Sequence, residues 1–190
     1  MAITINGSGT ITGVSAGGLP DGCVTADDLA TTLDLSGNTI TLPSGTGGKV
    51  LQVVSTANNT GASTSSTSWQ STGVTATITP SSTSSKILAI ACVQAAFADG
   101  GNGTTGKITL FRGTTSDTNL GHSAAGLQMI GNWYINTAYY MSMGFNYLDS
   151  PSTASAQTYT IGYRSESSSS TMYVQPSAAY TILTLMEIAG

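Results

Sequence analysis

The stretch that most limits what this chain can fold into is Gly73 to Phe97, GVTATITPSSTSSKILAIACVQAAF. Val74, Ala76 and Ile78 alternate with Thr75, Thr77 and Thr79, a two-residue period that predicts a strand buried on one face. Pro80 has no N–H to donate and ends the ladder. The hydroxyls of Ser81, Ser82, Thr83, Ser84 and Ser85 are short enough to bond neighbouring backbone and hold a loop. Ile87 then opens an apolar run through Phe97 with no polar residue before Gln94, which predicts a strand covered on both sides.

The rest of the chain from Lys49 repeats this alternation of strand and turn. Strands are predicted at Val50 to Ser55, Gly73 to Thr79, Ile87 to Phe97, Lys107 to Arg112, Leu120 to Ile130, Trp133 to Leu148, Gln157 to Arg164, Thr171 to Gln175 and Tyr180 to Ile188. Turn-rich separators stand at Asn58 to Ser68, Asp99 to Gly106, Thr114 to Asn119, Asp149 to Pro151 and Ser165 to Ser170. Eight or nine strands at regular intervals without a helix predict an all-β, antiparallel two-sheet sandwich of jelly-roll type over residues 49–190.

The richest of these strands is Trp133 to Leu148. Trp133, Ile135, Tyr139, Met141, Met143, Phe145 and Tyr147 share one face, and Tyr134, Asn136, Ala138, Tyr140, Ser142, Gly144 and Asn146 the other. Sixteen residues would span roughly 50 Å, so a bulge or kink is expected near Gly144. Rings on both faces make Tyr134 and Tyr140 candidates for a subunit interface, with plain sandwich core and a ligand platform as the competing readings.

Residues 1–48 carry too few large apolar groups to fold alone. Ile3 and Ile5 lead through Asn6-Gly7 to Thr10-Ile11-Thr12, a hairpin signal. Thr25 caps a two-turn helix over Ala26 to Leu33, with Asp28 in its first turn and Leu29 and Leu33 four apart. Ile40 and Leu42 form a short strand before Pro43, and Gly45, Gly47 and Gly48 make the joint to the sandwich. A helix of two turns is unstable unless its apolar stripe is covered, so Leu29 and Leu33 join the interface candidates.

Only 7% of residues are charged, against about a quarter in typical domains. Ser and Thr fill roughly three positions in ten, leaving few side chains for acid–base work. Lys49, Lys86, Lys107, Arg112 and Arg164 are scattered, read as isolated solvated charges, and make no nucleic-acid-binding patch. Cys92 falls in the apolar run and is read as a small hydrophobe; Cys23 is not expected to bridge to it. No apolar stretch is long enough for a membrane span. The opening MAITINGSG has neither a basic nor an apolar leader region, so no signal peptide is expected and the chain is expected to be made in a cytoplasm. His122, the lone histidine, has no Gly-x-Ser-x-Gly partner motif. The acidic pair Asp27/Asp28 is explained by helix capping, so no metal or cofactor is expected. Asp99, Asp117, Asp149 and Glu166 all fall in predicted loops and could in principle meet across a cleft, as glycoside hydrolysis requires. No catalytic motif supports that, and the chain is expected not to be an enzyme.

Three phrases point together. ITINGSGTITGVSAGGLPDGCVTADDLA resembles the N-terminal segment of tail-fibre and other virion structural proteins of tailed bacteriophages. TLPSGTGGKVLQVV with TATITPSSTSSKILAIACV is similar to the entry to the C-terminal β-domain of the same group, and ILTLMEIAG to its last strand. The resemblance implies a homotrimer in the virion, a short fibre or spike. Residues 1–48 would fix it to other virion proteins, and the sandwich head would face a host surface glycan or protein. It implies no catalytic residues. A capsid decoration or head-fibre protein that stabilises the particle is the first alternative, and a polysaccharide depolymerase on the same sandwich is the second.

Overall fold

The computed structural model describes residues 50–98, 105–131 and 139–190. The chain divides between Thr46 and Gly47, and everything described belongs to the second unit, Gly47–Gly190. The predicted hairpin, helix and short strand of residues 1–48, with Leu29 and Leu33, lie outside the described residues, as do Asp99, Trp133 and Tyr134.

The strands are β1 (Val50–Asn58), β2 (Ala62–Thr64), β3 (Gln70–Ile78), β4 (Lys86–Ala98), β5 (Thr105–Arg112), β6 (Thr118–Asn119), β7 (Gln128–Gly131), β8 (Tyr139–Asp149), β9 (Gln157–Ser165), β10 (Thr171–Val174) and β11 (Thr181–Ile188). Among the described residues a single 3-10 turn, Pro176–Ala178, precedes β11. The larger sheet runs β1-β11-β4-β8, with β10 and then β2 beside the far half of β4. The smaller runs β3-β9-β5, with β6 and β7 on the outer edge of β5. All pairings are antiparallel. The long strands β1, β3, β4, β5, β8, β9 and β11 alternate between the two sheets along the chain. This is a jelly-roll sandwich, the architecture the turn spacing predicts.

Alternation places the core. Val74, Ala76 and Ile78 of β3 are buried as predicted and face Ile87, Val93 and Phe97 of β4, with Met143 and Phe145 of β8, Ile161 of β9 and Leu183 and Leu185 of β11 in the same cluster. β3 ends at Ile78, just before Pro80. The serine loop behaves as its chemistry requires: the Ser82 hydroxyl accepts the Ser84 N–H at 3.2 Å, and Ser81 donates both N–H and hydroxyl to Glu187.

Four expectations are overturned. β4 is not covered on both sides: Ile87, Ala89, Ala91 and Val93 are buried, whereas Ile90 and Cys92 are exposed. The strands buried on both faces are instead β5, from Gly106 to Phe111, and the middle of β9, from Tyr159 to Tyr163. Leu120 to Ile130 is not one strand. After β6 the chain folds into a tight turn in which His122 and Gly126 exchange backbone hydrogen bonds, and pairing resumes only at β7. Gly126 has a φ of +71°, and its Cα lies so close to the Ile108 carbonyl that a side chain there would clash, which is incompatible with a continuous strand. No bulge occurs at Gly144: the β4–β8 register is unbroken from Ile87↔Asp149 to Phe97↔Tyr139. Finally, the segment between Asn58 and Ser68 contains β2 rather than loop alone.

Candidate functional site

The two sheets differ in what lies on their outer faces. The smaller sheet is covered by its own chain over β5 and the middle of β9, while the outward residues of β3 stay exposed. Phe111 packs over Gly162, where an added Cβ would meet its ring at 2.6 Å. Trp69 meets Phe111 edge-on with ring centroids 5.9 Å apart. Arg164 lies 4.8 Å over the Trp69 ring and donates to the carbonyls of Thr67 and Ala124. Lys107 pairs with Glu166 at 2.9 Å and is almost fully buried. Arg112 lies 3.3 Å from Asp149. Three of the five cations read from sequence as solvated are therefore packed and paired.

The larger sheet has no such cover. Its register aligns side chains of the outer face in rows across β1, β11, β4 and β8. One row is Val53, Met186, Leu88 and Leu148; the next Ser55, Thr184, Ile90 and Asn146; the third Ala57, Ile182, Cys92 and Gly144. Val53 is 53% exposed, Leu148 51%, Ile90 43% and Ile182 40%. None of the three rows holds a charged residue; Lys86 stands at the margin, opposite Ile188. The polar side chains in and beside these rows largely bond one another. Ser55 and Thr184 hydroxyls lie 3.0 Å apart, and Ser142 Oγ lies 3.3 Å from Cys92 Sγ and accepts from the Gln94 amide at 2.9 Å. Covering this face would strand few polar groups. A solvated antiparallel face normally carries polar and charged residues; this one reads as a second core surface.

Of the interface candidates, Tyr140 is 65% exposed and lies on this face beside Ala96. Leu29, Leu33 and Tyr134 are outside the described residues. The register adds Val53, Leu88, Ile90, Leu148, Ile182 and Met186. In sequence the absence of polar alternation in the run after Ile87 signals only Leu88 and Ile90; the other four follow from the register. Cys92 is corrected from a buried hydrophobe to an exposed thiol.

Among the described residues Asp149, Asp117 and Glu166 are each held by hydrogen bonds. Asp149 is not in a loop: it ends β8, buried, and accepts the Tyr159 hydroxyl at 2.7 Å. Asp117 accepts the N–H and hydroxyl of Thr114, both at 2.7 Å, and these bonds hold its pKa below the usual value. Hydrogen bonds from Lys107 and Thr105 lower that of Glu166. His122 Nδ1 accepts the N–H groups of Ala124 and Ala125. Among the described residues no cluster of three or more His, Cys, Asp or Glu could hold a metal, and no helix is long and apolar enough to cross a membrane.

No protein-family model matches the chain. No curated protein matches it either. Among solved structures it is similar to the VP2 subviral particle of infectious bursal disease virus, with TM-score 0.31 and 14% identity over 85% of this chain and 46% of that one. It is also similar to T=1 particles derived from the same virus, with TM-score 0.33 and 14% identity over 94% and 52%. The chain spans about half the length of the solved chains it matches.

Proposed function

We propose that this chain is a structural protein of a bacteriophage particle, a short trimeric fibre or spike. Residues 1–48 anchor it to other virion proteins, and the jelly-roll head meets the host surface. The observation that carries this reading is the set of three charge-free rows on the outer face of the larger sheet, left bare by a chain that covers β5 of its other sheet well enough to bury Lys107 and Thr109. Over the three rows, from Leu88 to Cys92 across β1, β11, β4 and β8, the face measures roughly 14 by 15 Å, on the order of 200 Å². Its exposed apolar side chains, Val53, Ile90, Leu148 and Ile182, stand around Ser55, Thr184 and Asn146, and the face is about a quarter of what each partner gives to a standard interface. Copies of the same chain are the occupant assigned to it. The remaining contact is assigned to residues 1–48, whose Leu29/Leu33 stripe needs a surface as well. The phrases that resemble phage virion proteins favour the same assembly. Three linked heads would also multiply a weak affinity for a surface glycan.

Light scattering on the eluting protein tests the assembly: a trimer is expected at micromolar concentration, and a stable monomer would end the proposal. Deleting residues 1–48 tests the anchor. The head should fold and no longer enter particles; particles that still carry it would show the anchor to be elsewhere.

A further inference from the structure

Where β2 and β10 end, residues 59–63 and 173–178 enclose an open groove of about 450 Å³. This is within the range of small-ligand sites. We infer that this groove binds a neutral sugar residue of a surface glycan. The inference rests on the host-attachment part of the proposed function.

The lining selects the ligand class. No charged side chain borders the groove, so phosphate, carboxylate and ammonium groups would find no counter-ion. It is too shallow and too polar for an apolar ligand. Tyr173, 37% exposed, offers a ring to the C–H face of a pyranose, since tyrosine combines an apolar body with a polar tip. Asn59, Ser63 and Ser177 supply an amide and two hydroxyls on the same lining, groups that both donate and accept as sugar hydroxyls do. A peptide added as a strand is a poorer fit, because the only edge at the groove, β2, is three residues long and strand addition depends on a row of main-chain bonds.

Two further features mark the groove as built rather than incidental. Gln175, Ser177 and Ala178 have φ values of 50°, 56° and 58°, a left-handed conformation that side chains disfavour and that concentrates at ligand sites. The turn is held in place from below: Gln175 donates its N–H to the Gln94 carbonyl at 2.9 Å and its side-chain amide to the Thr72 carbonyl at 3.3 Å.

The test is saturation-transfer NMR on the full chain, with methyl glycosides of neutral hexoses, 6-deoxyhexoses and N-acetylhexosamines at millimolar concentration. At least one glycoside should receive transfer. Its signal should fall roughly five- to tenfold in Tyr173→Ala and persist in Tyr180→Ala, an exposed tyrosine that does not line the groove. Ser63→Lys, at an exposed rim position, should abolish the signal without touching the core and serves if Tyr173→Ala does not fold. No transfer to the wild type, or equal transfer to the wild type and Ser63→Lys, overturns the inference. Adsorption of particles separates it from the reading it rests on. If particles lacking the protein fail to adsorb while Ser63→Lys particles adsorb normally, the groove is wrong and attachment stands. If glycoside binding follows the variants but particles lacking the protein adsorb normally, attachment is wrong and the sugar site stands.

Discussion

Tyr159 on β9 donates its hydroxyl to Asp149 at the end of β8, 2.7 Å away, and so joins the two sheets through a bond buried in the sandwich. Arg112 on β5 approaches the same carboxylate at 3.3 Å. The two partners predict unequal losses. Tyr159→Phe removes one bond but leaves Asp149 facing Arg112, and should cost about 1–2 kcal/mol. Asp149→Ala leaves both a buried hydroxyl and a guanidinium without their acceptor and should cost about 2–4 kcal/mol. Urea unfolding of both variants and the double variant measures the coupling; equal losses would contradict the shared-acceptor geometry.

The same buried ring predicts an alkaline transition. Burial, then the Asp149 hydrogen bond and charge, push the Tyr159 pKa far above 10, with Arg112 pulling the other way; burial alone raises that of Tyr163. Both shifts favour the neutral phenol in the folded state. Their stabilisation is therefore complete below the unfolded value near 10 and is lost as pH rises above it. After a jump to high pH, tyrosinate absorbance should show a slow phase, concurrent with unfolding, of at least two of the 8 tyrosines. Tyr159→Phe should shrink that phase by one tyrosine; an unchanged amplitude would place its ionisation in the folded state.

At the acid end the sign reverses. Burial by itself would raise the Glu187 pKa, but the Ser81 hydroxyl and N–H and the Gln52 amide more than offset it and hold the group at about 2, down from 4.5. A lowered folded value contributes stability above the unfolded pKa and loses it as pH falls from about 4.5 toward 2. Glu187→Gln should flatten the dependence of the urea midpoint on pH in that window. It should not abolish it, because Glu166 and Asp117 are shifted in the same direction. A slope identical to that of the wild type would show that Glu187 is not held this way.

How far the fold was legible follows from which forces are local. The two-residue period at Val74, Ala76 and Ile78 marks a buried face without reference to any other segment, and Thr75 and Thr77 on the opposite face meet Thr160 and Thr158 across the ladder. The run after Ile87 carries no such contrast. Apolar residues on both faces say that both are to be covered, but not whether the cover is this chain or a copy of it, so the run by itself puts Ile90 and Cys92 inside. Cations misled for the opposite reason: Lys107 finds Glu166, and Arg164 finds Trp69, only across distant sequence. The groove at Gln175 was illegible because its left-handed turn uses Gln, Ser and Ala rather than the glycine or asparagine that would announce it.

Cys92 supplies a direct probe of the proposed assembly. Its thiol is exposed in the chain itself, in the third row of the outer face beside Ile182 and Gly144. If copies of the chain cover that face, the thiol is shielded in the assembled protein although nothing in a single chain shields it. In a Cys23→Ser background, which leaves Cys92 as the only thiol, modification by a maleimide should be slow at micromolar protein and accelerate on dilution. Ile90→Lys puts a charge in the middle row, where it would have to be desolvated on association. Because Ile90 is 43% exposed in the single chain, the substitution should change its unfolding free energy by no more than about 0.5 kcal/mol. The variant should elute as a monomer with a rapidly modified thiol, and its melting temperature should lie below that of the assembled wild type and not depend on protein concentration. Rapid modification of the wild-type thiol at every concentration would show that the face stays open and that the contact between copies lies elsewhere.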